Sequence, residues 1–71
     1  MNKTLLRSIM LLHGDTNKTL AEFLEISETS VSNKINERGT EFTQGEISAI
    51  ADRYSLTAQQ IKDIFFNREV S

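Results

Sequence analysis

Three times in 71 residues, an apolar side chain stands directly before a hydroxyl, with a second apolar residue about a turn later. The sets are Ile26-Ser27 before Val31, Phe42-Thr43 before Ile47, and Leu56-Thr57 before Ile61. A hydroxyl just ahead of a helix accepts from first-turn amides that have no intrahelical partner. The flanking apolar pair closes over that turn and fixes the angle at which the chain enters it. Thr43 with Glu46, and Thr57 with Gln60, complete capping boxes, in which the later side chain returns a bond to the cap amide. Helix starts this closely spaced leave room only for short helices and tight turns, which predicts an all-α chain.

The remaining helices follow from apolar spacing. Leu5, Leu6, Ile9, Met10 and Leu12 form a stripe that stops at Gly14, predicting helix 1. Thr16 or Asn17 caps helix 2, whose apolar positions are Leu20, Ala21, Phe23 and Leu24. Helix 3 is expected over about 28–37, with Gly39 as its stop. Helix 4 is expected over about 44–54, with Ile47, Ile50, Ala51 and Tyr54 inward. Helix 5 is expected over about 58–66, with Ile61, Ile64 and Phe65 inward. The polar residues 67–71 read as a frayed tail. A compact five-helix domain is thus expected over 1–66, with no internal repeat.

Composition removes several function classes. With no cysteine, no disulfide or thiolate metal site can form. His13 is the sole histidine, near a helix end, where it interacts with the dipole; no metal or other cofactor is expected. No apolar run approaches the roughly 20 residues of a membrane span, and no signal peptide is expected. There is no Gly-rich phosphate loop and no plausible Ser-His-Asp pocket, so the chain reads as a non-enzyme without a small-molecule substrate. Asp15 and Asp63 read as helix-end and surface acids.

Helices 2 and 3 carry the sharpest expectation. The connection Glu25-Ile26-Ser27 is short, so the two helices must cross steeply. Val31 and Ile35 turn helix 3 to the core and leave Glu28, Thr29, Ser32, Asn33 and Asn36 outward. Several of these short polar side chains suit the edges of bases.

Leu20-Ala21 with Leu24, the turn through Ile26-Ser27, and Val31-Ser32-Asn33-Lys34-Ile35-Asn36 resemble the Cro/repressor (XRE-like) helix-turn-helix family of phage regulators. Glu41-Phe42-Thr43, Glu46-Ile47, Ile50-Ala51, Tyr54-Ser55-Leu56-Thr57 and Ile64-Phe65-Phe66 extend the resemblance over helices 2 to 5. Within that family, the small size and opening of the chain look like the modulator-of-repression antirepressors of temperate phages of lactic acid bacteria. The resemblance implies a phage-repressor-type domain in the cytoplasm of a bacterial host, acting in the choice between lysogeny and lytic growth. It implies that Ser27, Glu28, Thr29, Ser32, Asn33 and Asn36 face operator DNA, with Asn17 beside a phosphate. It also implies a CI-type repressor as protein partner. One position departs from the family pattern: Glu25 stands where the turn usually has Gly. An acid there opposes the helix dipole and its β-carbon strains a left-handed backbone, which predicts a looser or reshaped turn.

Charge complicates a DNA role. Between Asn17 and Arg38 there are three bases (Lys18, Lys34, Arg38) and four acids (Glu22, Glu25, Glu28, Glu37). Affinity for DNA grows with the number of phosphates neutralised, so binding by this chain alone is expected to be weak. An acidic face suits a basic protein partner instead. Phe42, Tyr54, Phe65 and Phe66 are candidate residues for such a contact, since aromatic anchors dominate protein interfaces. Blander roles compete at each position. Phe65 and Phe66 would also serve as a core plug or a homodimer seam, the helix 3 residues as a solvated face, and the glutamates as ordinary helix surface. Leu11 reads as a scattered surface apolar residue.

Overall fold

The computed structural model describes residues 1–66; the tail expected over 67–71 lies outside them. Five helices follow in order: α1 (Lys3–Leu12), α2 (Asn17–Leu24), α3 (Glu28–Ile35), α4 (Gln44–Tyr54) and α5 (Ala58–Phe65). Among the described residues there is no strand.

Each hydroxyl cap does what its position dictates. Ser27 Oγ accepts from the Ser30 amide at 3.0 Å. Thr43 and Thr57 accept from the amides of Glu46 and Gln60, whose side chains accept in return from the cap amides at 2.9 and 2.8 Å. Thr16, not Asn17, caps α2, through a reciprocal pair with Thr19 in place of the usual acid or amide. Asn2 caps α1 by accepting from the Leu5 amide.

Helix ends depart more from expectation than helix starts. α3 stops at Ile35, short of 37. Asn36 Nδ2 donates to the Ser32 carbonyl, the side-chain competition that removes Asn from helix interiors. Glu37 then takes a left-handed conformation, φ 53°. α5 likewise closes one residue early, with Phe66 as its cap. In α1, Leu6 and Met10 enter the core but Leu12 is 82% exposed, because it lies about 200° around the helix from Met10.

The turn at Glu25 is not loosened. Glu25 sits at φ 59°, ψ 39°, and the Ile26 amide donates back to the Ala21 carbonyl at 3.0 Å. That is the Schellman closure a glycine would make. The same closure joins α4 to α5: Ser55 has φ 52°, ψ 47°, and the Leu56 amide donates to Ala51 at 2.9 Å. So Ala21-Glu22-Phe23-Leu24-Glu25-Ile26-Ser27 and Ala51-Asp52-Arg53-Tyr54-Ser55-Leu56-Thr57 build the same turn, a local repetition the sequence reading did not anticipate.

Every helix contributes a fully buried aliphatic residue: Leu6, Leu20, Val31 and Ile35, Ile50, and Ile64. Burying each contributes roughly 1.5–3 kcal/mol. The Asn2 amide donates to the Ile64 carbonyl at 2.7 Å and ties the start of the chain to α5. No helix among the described residues is long and apolar enough to cross a membrane.

Asp15, read as a helix-end acid, is instead the polar knot of the fold. Its side chain is 6% exposed and accepts two bonds from Arg53, both at 2.8 Å, one from Tyr54 Oη at 2.6 Å and one from Thr19. These bonds, led by those of Arg53, hold the Asp15 carboxyl far below its ordinary value despite burial. Burial, with Asp15 alongside, pushes the Tyr54 hydroxyl well up. The knot fastens the α1–α2 connection to the end of α4. His13 packs its ring on Tyr54, with centroids 4.9 Å apart, so it has a packing role beyond the dipole. Arg53 also lies over the Phe23 ring at 4.6 Å, a cation–π contact.

Candidate functional site

Two surfaces meet along α3. The first is the outer side of that helix. Ser27, Glu28 and Thr29 are exposed at its start, and Ser32 and Asn33 are half-buried along it. The packing of Val31 and Ile35, both fully buried, turns these side chains outward. Asn17, half-buried, is the first residue of α2. The arrangement of α2, tight turn and α3 is compatible with a helix-turn-helix.

Two of these residues are partly committed inside the chain. Asn36 holds the Ser32 carbonyl and accepts from Lys3 Nζ at 3.3 Å. Ser27 spends its hydroxyl on Ser30, accepting from the amide and donating to Oγ. Glu28, Thr29, Ser32 and Asn33 remain as the side chains that face outward without a role in the helix cap.

The charge on this side is more acidic than the composition implies. Lys34 Nζ lies 2.7 Å from Glu46 Oε1, and the two side chains are 13% and 16% exposed. Burial acts to raise the Glu46 carboxyl, but the bonds from Lys34 and the Thr43 amide outweigh it, leaving Glu46 below its ordinary value. Lys34 is therefore occupied. Among the described residues, Glu22, Glu25 and Glu28 enter no ion pair, and all three are exposed.

The second surface is a groove of about 560 Å³ at the C-terminal end of α3. Lys34 borders it from α3, Glu37, Glu41 and Phe42 from the following loop, and Ile47 from α4. Phe65, Phe66 and Met1 complete it. Phe42 is buried, 8% exposed, and meets Phe65 edge-on with centroids 6.1 Å apart. It forms the floor and is not itself a projecting anchor. Phe66, at the end of α5, is 59% exposed and projects.

Tyr54 is corrected. It is 5% exposed, bound to Asp15, and belongs to neither surface. Sequence reasoning missed Met1, Lys34, Glu37, Glu41 and Ile47 at the groove. Phe42 and Ile47 had announced themselves, as the apolar pair around the Thr43 cap, but that signal speaks of a helix start and not of a cleft. Among the described residues no three His, Cys, Asp or Glu side chains converge as a metal site would require. Comparison with protein-family models, curated proteins and solved structures finds no match to this chain.

Proposed function

We propose that this chain is a phage transcriptional regulator of the lysogenic–lytic switch. It acts as an antirepressor that binds the phage CI-type repressor and alters that repressor's hold on its operator, in the cytoplasm of the bacterial host. The observation that carries the reading is the internal neutralisation of Lys34 by Glu46, with Glu22, Glu25 and Glu28 exposed and unpaired on the same segment from α2 to α3. A helix poised for the major groove normally draws its affinity from cations aimed at phosphates. Here Lys18 and Arg38 are the cations left on the α2–α3 segment, both exposed. A basic, DNA-reading protein surface complements such a face better than DNA does.

A second reading is a Cro-like repressor that binds operator DNA directly as a homodimer. It is favoured by the outward set Thr29, Ser32 and Asn33, whose donors and acceptors suit base edges.

The deciding experiment titrates the purified protein against the neighbouring repressor, with and without operator DNA. The antirepressor reading predicts a protein–protein complex and a changed operator affinity of the repressor. It also predicts little shift of operator by this chain alone, with a salt slope no steeper than about −3. If the chain alone shifts operator tightly at low salt, and Asn33→Ala weakens that shift by about 1–3 kcal/mol, the second reading holds.

A further inference from the structure

The groove between the end of α3 and Phe66 is built from fixed parts. Its floor, Phe42 against Phe65, is held by the edge-on ring contact and by burial. Its exposed lip, Phe66, stands on a backbone amide that still donates to Lys62 in α5. A projecting aromatic on an anchored backbone loses little freedom on binding, which is the profile of an interface anchor. The volume, about 560 Å³, falls within the roughly 300–1,000 Å³ of ligand clefts. It has room for several apolar side chains, as one face of a helix presents them.

Charge selects the occupant. Lys34 contributes no net charge because Glu46 balances it. Glu37 is half-exposed and paired with the Met1 amine at 3.3 Å, so its charge is balanced as well. Glu41 is exposed and unpaired among the described residues. A cleft floored by aromatic rings, whose one unbalanced charge among the described residues is Glu41, complements a segment that carries apolar anchors beside a Lys or Arg. A nucleic acid or an acidic peptide would meet repulsion there.

We propose that this groove is the seat of a basic amphipathic helix of the partner protein, with its apolar side against Phe66, Phe65 and Phe42 and a Lys or Arg at Glu41. This rests on the antirepressor reading for the partner's identity, the repressor itself, and adds where on this chain that partner docks. The acidic outer side of α3 adjoins the groove, so one partner can engage both.

The test is calorimetric titration of the 71-residue chain against the intact repressor, comparing wild type with Phe66→Ala and Glu41→Lys. Both sites are exposed, so both variants are expected to keep wild-type helical circular dichroism and melting. Each is expected to weaken the complex at least tenfold, with the Glu41→Lys loss shrinking as salt rises. Asp52→Lys, an exposed site on α4 that lines neither surface, is expected to change affinity less than threefold. If wild type binds the repressor and both groove variants bind it equally well, the groove is not the seat, although the antirepressor reading survives. If wild type does not bind at all, that reading itself falls. Sedimentation of this chain alone gives a further arm. Self-association abolished by Phe66→Ala would make a second copy the occupant and overturn the proposal. So would a tenfold tighter complex on deleting residues 67–71, which would make the chain's own tail the occupant.

Discussion

Glu25 shows how a single residue resists its own intrinsic preference. An L-residue with a β-carbon in the left-handed region costs roughly 1–2 kcal/mol, and an acid at a helix C-terminus opposes the dipole. The closure to Ala21 and the burial of neighbours on both sides hold it there regardless. Glu25→Gly is expected to raise unfolding free energy in urea by about 1 kcal/mol, after the added chain entropy of glycine is offset. Asp15 supplies the opposite case. Its folded carboxyl titrates far below the unfolded value near 3.8. The stability it contributes is therefore fully present above that unfolded value. It is lost as pH falls below it, because the unfolded chain then binds a proton the folded chain refuses. Thermal melts from pH 7 to pH 2 are expected to show this decline. Asp15→Asn should lower melting at neutral pH and flatten the acid limb. Neither behaviour was legible in the sequence in full. The strain at Glu25 is read from one position, but the knot at Asp15 depends on Arg53 and Tyr54, which lie 38 and 39 residues away.

At the scale of elements, starts were more legible than ends, although α4 closes at Tyr54 as its spacing predicts. A cap is a local bargain between one hydroxyl and an amide three residues on, so Ser27, Thr43 and Thr57 declare it in the sequence. An end depends on which of several residues first takes the left-handed turn. At α3 that was Glu37 after Asn36, ahead of the more obvious Gly39. The duplicated turn is hard to see in the sequence because its two copies share only Ala21 and Ala51; the geometry repeats more faithfully than the letters. Ser27→Ala is expected to cost about 1 kcal/mol of stability, measured by denaturant unfolding, through the start of α3. The candidate surfaces divide the same way. The outward set on α3 follows from helical periodicity around Val31 and Ile35. The groove joins Met1, the loop after α3 and the end of α5, and no periodicity links those.

For the whole molecule, the consequence lies in Glu46. One carboxylate oxygen accepts both the Thr43 amide that opens α4 and the ammonium of Lys34 on α3. An outside anion that wins Lys34 therefore strips a sparsely hydrated carboxylate of its counter-ion at the very place where α4 begins. The chain cannot lend that lysine to a phosphate without unsettling the next helix.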